Sequence, residues 1–200
     1  MKVLVGCEYS GVVRDAFAFL GHDATSCDLL PSDQPNGKHY QGDVFDIIDQ
    51  GWDLAIFHPP CTYLCNSGVR WLHTEPGRWE NMREGAKFFA ELLNADIPRI
   101  AVENPVMHKY AVEIIGSKAT QSVQPWQFGH TENKRTGLWL KNLPELLTTH
   151  DVSEAMKDMS YAEKNKIHYA SPGKDRWKLR STTYLGIAQA MAYQWGGDNR

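Results

Sequence analysis

Short apolar segments with the length and composition of strands alternate along this chain with segments of helical spacing. Strands that alternate with helices are joined by crossovers, which make neighbouring strands parallel and cover both faces of the sheet. The sequence therefore predicts an α/β protein with a mostly parallel central sheet and helices on both faces. The predicted strands are residues 2–5, 24–27, a short extended piece ending at Gly42, 53–57, 99–102 and 136–140, and the predicted helices are 12–20, 78–93, a short one near 154–159 and a closing one over 186–192.

The length, cysteine content and charge of the chain limit its class. Two hundred residues suit one domain, which we expect to span residues 1–200. No apolar run approaches the roughly 20 residues of a membrane helix, and the apolar N-terminal segment is too short for a signal peptide. The four cysteines show no paired framework, so we expect reduced thiols, a cytoplasmic location and no membrane partner. With a net charge of −3, a polyanion would have to be held by a local basic patch.

Polar and reactive side chains follow the predicted strands at the points where the strands end. The carboxyl ends of parallel strands share one edge of the sheet, and ligands of open α/β sheets bind there. The sequence therefore predicts a single site at this edge. The candidate residues are Glu8, Ser10, Gly11, Asp28, Asp43, Cys61 and Glu103.

The loop after the first strand has features of a nucleotide-cofactor turn. Gly6 and Gly11 allow a tight turn before a helix N-terminus, and Asp28 follows Gly6 by 22 residues, near the offset at which an acidic side chain meets ribose hydroxyls. The dinucleotide pattern G-x-G-x-x-G is absent, and Glu8 would repel a pyrophosphate. A cofactor with no phosphates and a positive centre fits better, and S-adenosyl-L-methionine has both properties. The alternative is an ordinary strand-to-helix turn.

The fourth strand ends in the rigid tripeptide Pro59-Pro60-Cys61. Proline fixes φ and donates no backbone hydrogen bond, so the strand must stop and the thiol is presented at one fixed place. A nucleophile needs such positioning, which makes Cys61 a candidate nucleophile. A cysteine in this position can instead be a small buried hydrophobe. A second alternative is a zinc site, with the ligands His58, Cys61, Cys65 and His73.

Four segments, taken together and in this order, resemble the motifs of the DNA (cytosine-5)-methyltransferases, and most of all the compact forms often carried by bacteriophages. The segments are Gly6-Cys7-Glu8-Tyr9-Ser10-Gly11, Pro59-Pro60-Cys61, Glu103-Asn104-Pro105 and Gly186-Ile187-Ala188. The resemblance implies a Rossmann-like S-adenosylmethionine-dependent methyltransferase fold and methyl transfer to C5 of cytosine in DNA.

The resemblance also implies a role for each catalytic residue. Cys61 would add to cytosine C6 and form a covalent adduct, and the target base would leave the helical stack to reach it. Glu103 would donate a proton or hydrogen bond at N3 and N4, which requires a pKa raised by burial, while Asn104 would shape its loop and contact the substrate. Arg135 would supply the basic contact to the base. The implied cofactor-binding residues are Gly6, Glu8, Ser10, Gly11, Asp28, Asp43, Pro59 and Gly186.

The chain departs from the family in its motifs and in its length. Glu8 and Ser10 stand where the family usually has glycines, Pro105 replaces a valine, and Gly186-Ile187 lacks the usual asparagine. Residues 142–180 form a short, variable, basic segment in place of a target-recognition domain.

The basic segment bears on the choice of substrate. Lys174, Arg176 and Lys178 are candidate DNA contacts. The segment is too small for an independently folded recognition domain, so recognition is expected to be short or relaxed, supplied by a protein partner, or directed at something other than duplex DNA. We expect an enzyme that modifies viral DNA against restriction. The alternatives are an enzyme acting on another pyrimidine substrate, such as RNA or a free nucleotide, and an inert relative that binds DNA or cofactor.

Overall fold

The computed structural model describes residues 1–174 and 176–197, and position 175 and the last three positions of the predicted domain lie outside the described residues. Its secondary structure follows the predicted alternation of strands and helices. The strands are β1 (Lys2–Gly6), β2 (Asp23–Asp28), β3 (Lys38–Gln41), β4 (Leu54–Phe57), β5 (Ile100–Pro105), β6 (Gln121–Val123) and β7 (Thr136–Lys141). The α-helices are α1 (Val12–Phe19), α2 (Arg78–Leu93), α3 (Lys109–Ile115), α4 (Tyr161–Lys164), α5 (Arg176–Ser181) and α6 (Leu185–Gly196). Short 3₁₀ segments cover Val44–Asp46, Asn66–His73, Pro125–Gln127 and Glu154–Met156.

The strands form one seven-stranded sheet in the order β3-β2-β1-β4-β5-β7-β6. The first five strands are parallel, and β7 runs antiparallel to both of its neighbours. A crossover sheet with this strand order and one reversed strand is the Rossmann-like fold of the S-adenosylmethionine-dependent methyltransferases. The predicted fold class is confirmed.

Helices cover both faces of the sheet. On one face α2 places Met82, Ala86 and Phe89 against alternate side chains of the central strands. On the other face α1 and α6 pack together through Phe17 and Met191, among others. The central strands are buried on both sides, which explains their continuous apolar sequence.

The register of the parallel strands aligns their carboxyl ends. Gly6 of β1 lies opposite Cys27 of β2 and opposite Phe57 of β4, and Phe57 in turn lies opposite Val102 of β5. The loops that follow these strands therefore leave the sheet at one edge, and they carry the candidate residues.

The described residues between β7 and α6 form little regular structure. They contain the 3₁₀ segment Glu154–Met156 near the predicted short helix, followed by α4 and α5, each of at most six residues. The view of residues 142–180 as a variable segment stays a prediction. Across the described ranges, no helix combines the length and the apolar character that crossing a membrane requires.

Candidate active site

A cavity of about 210 Å³ opens at the carboxyl ends of β1, β2 and β4. Asp28 and Asp43 both contribute to its wall, and burial raises the pKa of the Asp28 carboxyl. The Asp43 carboxylate accepts a hydrogen bond from the Phe45 amide at 3.0 Å, which fixes the start of the following 3₁₀ turn. The cavity therefore combines an apolar interior with two acidic groups. Its lining comprises Cys7, Cys27, Asp28, Leu29, Gly42, Asp43, Val44, Pro60 and Phe88.

The carboxylate of Glu8 lies buried at the N-terminus of α1. It accepts hydrogen bonds from the amides of Val13 at 2.7 Å and Arg14 at 3.3 Å, and from the Ser10 hydroxyl at 3.3 Å. Burial raises its pKa, although these hydrogen bonds act in the opposite direction. The free amides of a helix N-terminus are what binds a phosphate in dinucleotide-binding folds. Here the protein's own carboxylate occupies two of them, so this turn is not a phosphate site.

Gly6 and Gly11 are required by close packing around the first loop. A methyl group at Gly6 would lie 2.5 Å from the Phe57 ring, and one at Gly11 would lie 2.5 Å from the Arg14 guanidinium. Gly11 also has a φ of 75°, in the region that favours glycine. Close neighbours within the protein therefore explain why both positions are glycine.

Arg14 is a buried charged residue that sequence reasoning missed. Its guanidinium donates hydrogen bonds to the hydroxyls of Ser26 and Ser32 and to the carbonyl oxygen of Gln34 at 3.0 Å, and it pairs with Asp15. The side chain is fully buried, and it joins α1 to β2 and to the loop that follows β2. An arginine between the apolar residues of a helix face was the signal in the sequence.

Asn104 holds the diproline loop in place. Its side-chain amide donates a hydrogen bond of 3.0 Å to the carbonyl oxygen of Pro59, across 45 positions of the chain. Pro59 is buried, whereas Pro60 is exposed and lines the cavity. The Asn104 side chain thus ties the diproline loop to β5, and Pro60 rather than Pro59 lines the cavity.

Cys61 forms a thiol pair with Cys65, four residues further on. The Cys61 thiol donates a hydrogen bond to the Cys65 sulfur, which raises the pKa of Cys61 and lowers the pKa of Cys65 to about 5. The Ser67 hydroxyl, 3.1 Å from the Cys65 sulfur, supports the Cys65 thiolate as well. Both cysteines are partly exposed residues.

Glu103 forms a buried pair with His58. Its Oε2 lies 2.8 Å from His58 Nδ1, and the two side chains are 14% and 9% exposed, respectively. Burial works to raise the pKa of the Glu103 carboxyl, but the hydrogen bond and charge of His58 outweigh it, so this pKa lies below its ordinary value. The proton-donor role required the opposite direction. The lowered pKa favours the carboxylate form of Glu103.

The positive charge of Lys134, rather than that of Arg135, acts on the pKa values of Glu103 and Cys61. It lowers the pKa of both Glu103 and Cys61, and the Lys134 ammonium lies 5.6 Å from the centre of the Tyr184 ring. Arg135 is exposed. The contact of Arg135 with the base stays a prediction.

Gly186 packs against the backbone before β7. Its amide donates a hydrogen bond of 3.0 Å to His130 Nε2, and a methyl group here would overlap the carbonyl oxygen of Phe128. These contacts lie within the protein, so they explain the glycine without a cofactor.

The basic residues chosen as DNA contacts differ in their surroundings. Lys178 forms an ion pair of 3.0 Å with Asp33, and Arg176 donates a hydrogen bond to the carbonyl oxygen of His168. Lys174 is exposed. Two of the three cations are therefore engaged within the protein.

The zinc alternative was tested against the positions of the potential ligands. Within residues 1–174 and 176–197, no three histidine, cysteine or acidic side chains are placed to hold a metal ion. His58 instead pairs with Glu103, and Cys61 pairs with Cys65.

No model of a known protein family matches the chain, and a search of curated proteins finds no match. Among solved structures, the chain is similar to a candidate DNA modification methyltransferase encoded within an E. coli prophage, with 15% identity and a TM-score of 0.45, over 80% of this chain and 56% of that one. It is also similar to the methyltransferase EhMeth of Entamoeba histolytica, with 15% identity and a TM-score of 0.45, over 76% of this chain and 57% of that one. The chain thus spans little more than half the length of either protein. The order and direction of the strands, rather than these likenesses, define its fold.

Proposed function

We propose that this protein transfers a methyl group from S-adenosyl-L-methionine to C5 of cytosine in DNA, through a covalent bond between Cys61 and C6. One observation carries the proposal. A partly exposed thiol and the Glu103 carboxylate leave the same edge of the sheet beside an acidic cavity, and the Asn104–Pro59 hydrogen bond fixes their two loops to each other. A binding protein needs neither a positioned thiol nor a buried acid.

The cavity suits the adenosine part of this cofactor. Asp28 and Asp43 offer carboxylate acceptors for ribose hydroxyls and for the adenine amine, between apolar walls that include Phe88. Glu8 fills the helix N-terminus that a phosphate would need. A cofactor with a positive centre and no phosphate is therefore the one that these residues fit. When bound, it supplies an electrophilic methyl group.

Attack by Cys61 requires its thiolate, which is the reactive form of cysteine. In the resting pair the shared hydrogen bond raises the pKa of Cys61 and leaves the negative charge mainly on Cys65, so the Cys61 proton must leave before attack. The Cys61 sulfur then adds to C6 of the ring, and its departure after loss of the C5 proton restores the aromatic base. Lys134 assists because its positive charge favours the Cys61 thiolate.

A second cavity beside the same loops supports a nucleic acid as substrate. It measures about 460 Å³ and lies between the 3₁₀ segment after Cys65 and the start of α3. Arg70 and Lys109 line it, and the Arg70 guanidinium stacks 4.4 Å from the centre of the exposed Trp71 ring. Cations beside an exposed aromatic ring suit phosphates and an unstacked base. Lys174 remains a further candidate contact.

Trapping with a mechanism-based substrate tests the proposal. Duplex DNA containing 5-fluorocytosine, incubated with the cofactor, is expected to form an adduct that peptide mapping places on Cys61. Cys61→Ser should abolish the adduct. Cys65→Ser is the matched control, because it removes the neighbouring thiol and leaves the nucleophile in place, and its adduct should persist.

A panel of labelled substrates separates this proposal from its alternatives. With tritiated cofactor, label in duplex DNA supports cytosine modification in DNA, whereas label only in RNA or in dCMP assigns the enzyme to another pyrimidine substrate. Residues 142–180 contain only short helical turns, so a protein partner that supplies sequence specificity remains part of the proposal. An adduct or label on none of these substrates would leave a binding protein.

A further inference from the structure

His58 occupies a position that the proposed mechanism has not used. It follows β4 directly and precedes the diproline, and its side chain is 9% exposed. Its Nδ1 lies 2.8 Å from Glu103 Oε2. Its Nε2 is buried and has no hydrogen-bond partner in the part of the chain that the structure describes. A buried polar atom without a partner is costly, so it calls for a functional reason.

Three charged groups from three different segments act on the His58 ring. Glu103 on β5 and Glu8 in the loop before α1 favour the protonated ring, whereas Lys134 before β7 disfavours it. Burial lowers the pKa of His58, but the Glu103 hydrogen bond and the two carboxylate charges outweigh it, and the pKa lies above its ordinary value. At the pH where a histidine with an ordinary pKa begins to lose its proton, His58 therefore still holds its own. The raised pKa of His58 and the lowered pKa of Glu103 favour an imidazolium paired with a carboxylate.

We propose that His58 is a positioning residue that stores the proton which Glu103 passes to N3 of the pyrimidine. The inference rests on the proposed function and deepens it. It resolves the conflict between the proton-donor role of Glu103 and the lowered pKa of its carboxyl group, because His58 Nδ1 lies one hydrogen bond away, at 2.8 Å.

The proton balance closes with solvent water as the acceptor of the C5 proton. The Cys61 thiolate forms the bond to C6, and the electron pair displaced from the ring develops on N3. His58 Nδ1 passes its proton to Glu103 as Glu103 passes one to N3, so the imidazolium becomes a neutral imidazole. Once C5 carries the methyl group, the C5 proton leaves to water and its bonding pair restores the ring double bond. The bond from Cys61 to C6 breaks with its electron pair on the sulfur, and the N3 proton returns to His58 by the same route.

The pH dependence of adduct formation tests this role. The rate in the wild type should fall as the pH rises through the pKa of His58, since the stored proton is then lost. In His58→Gln the amide can keep the hydrogen bond to Glu103 but stores no proton. We expect the rate at pH 7 to fall by about 100-fold or more, with little change in KM, and the alkaline fall of the rate to move to lower pH.

Glu8→Gln provides a graded perturbation. It removes a charge that favours the imidazolium, together with the acceptor of the Arg14 amide, while the amide oxygen can still accept from Val13. The alkaline fall should then move to lower pH. An adduct rate in His58→Gln with the wild-type pH profile would overturn the role of His58.

A titration by NMR supplies a readout that does not depend on activity. The His58 ring should titrate above 6.5, the ordinary value, and Glu103→Gln should bring its pKa down. A His58 pKa at or below the ordinary value in the wild type refutes the proton store even if methyl transfer occurs. Absence of adduct and label on every substrate overturns the proposed function and this role together, whereas an adduct with an unaltered profile in His58→Gln overturns only the role.

Discussion

Replacing Gly186 by alanine separates a packing role from a cofactor-binding role. A methyl group on this residue would overlap the Phe128 carbonyl oxygen and lie 3.0 Å from its carbonyl carbon and 3.2 Å from His130 Nε2. The Phe128 carbonyl belongs to the backbone, which cannot rotate away as a side chain can. Helix α6 would therefore have to shift, although Ile187 and Met191 fix it in the core.

The expected change in the free energy of unfolding combines two opposing effects. Overpacking of a tight contact costs about 1–3 kcal/mol, whereas glycine to alanine in a helix interior gains up to about 1 kcal/mol and less near a helix start. Gly186 is the second residue of α6, so the gain in helix propensity is small and overpacking should dominate. We expect the free energy of unfolding to fall by about 1–2 kcal/mol. For a chain of this size this lowers the Tm by roughly 2–8 °C.

Gly85 offers a matched control within the same chain. It lies in the interior of α2, and a methyl group there would meet only the Leu64 side chain at 3.5 Å, an ordinary contact. Gly85→Ala should therefore raise the Tm by about 2–4 °C through helix propensity alone. The same chemical change is thus expected to have opposite signs at the two positions.

Thermal unfolding and calorimetric binding of S-adenosyl-L-methionine measure the two roles separately. Under the packing argument, Gly186→Ala lowers the Tm and changes cofactor affinity little. An unchanged Tm together with a large loss of cofactor affinity would refute the argument and support the contact implied by the family resemblance.

Three further substitutions test contacts around the site. Asn104→Ala should lower the free energy of unfolding by about 1–3 kcal/mol, because it leaves the buried Pro59 carbonyl without its donor. Urea unfolding measures this change, and a smaller one would contradict the role of the contact. Arg14→Met should lower the free energy of unfolding by about 2–4 kcal/mol, since it removes a buried guanidinium from its acceptors; a variant as stable as the wild type would contradict this. Iodoacetamide at pH 7 should label Cys65 before Cys61, because the thiolate resides mainly on the former, and Cys65→Ser should make Cys61 more reactive; mass mapping that finds Cys61 modified first would exclude this order.

Patterns local in sequence predicted the fold well. The helix expected over 78–93 occurs at those residues, because its apolar face repeats at helical spacing over four turns. Helix α3 was missed because it has only seven residues, and its N-cap is His108 rather than a typical capping residue. Its start depends on a hydrogen bond from the His108 amide to the Leu64 carbonyl oxygen, which sequence alone does not show.

The site was predictable only where its residues end strands. Glu103 and Cys61 follow from that rule, whereas the partner of Glu103, His58, comes from a different strand 45 positions earlier. The position of the Lys134 charge near Glu103 and Cys61 could not be predicted for a related reason. Neighbouring side chains in an extended segment point to opposite sides, and only the tertiary structure decides which side faces the site.

The Glu8 side chain at the N-terminus of α1 has a consequence for competition between nucleotides in a cell. ATP carries the same adenosine group as the proposed methyl donor, so a pocket that recognised adenosine alone would be blocked by it. The buried Glu8 side chain accepts hydrogen bonds from the Val13 and Arg14 amides, so neither amide is free for a phosphate. Under the proposed function, one acidic side chain would thereby favour the methyl donor over ATP without any contact to the adenosine that the two molecules share.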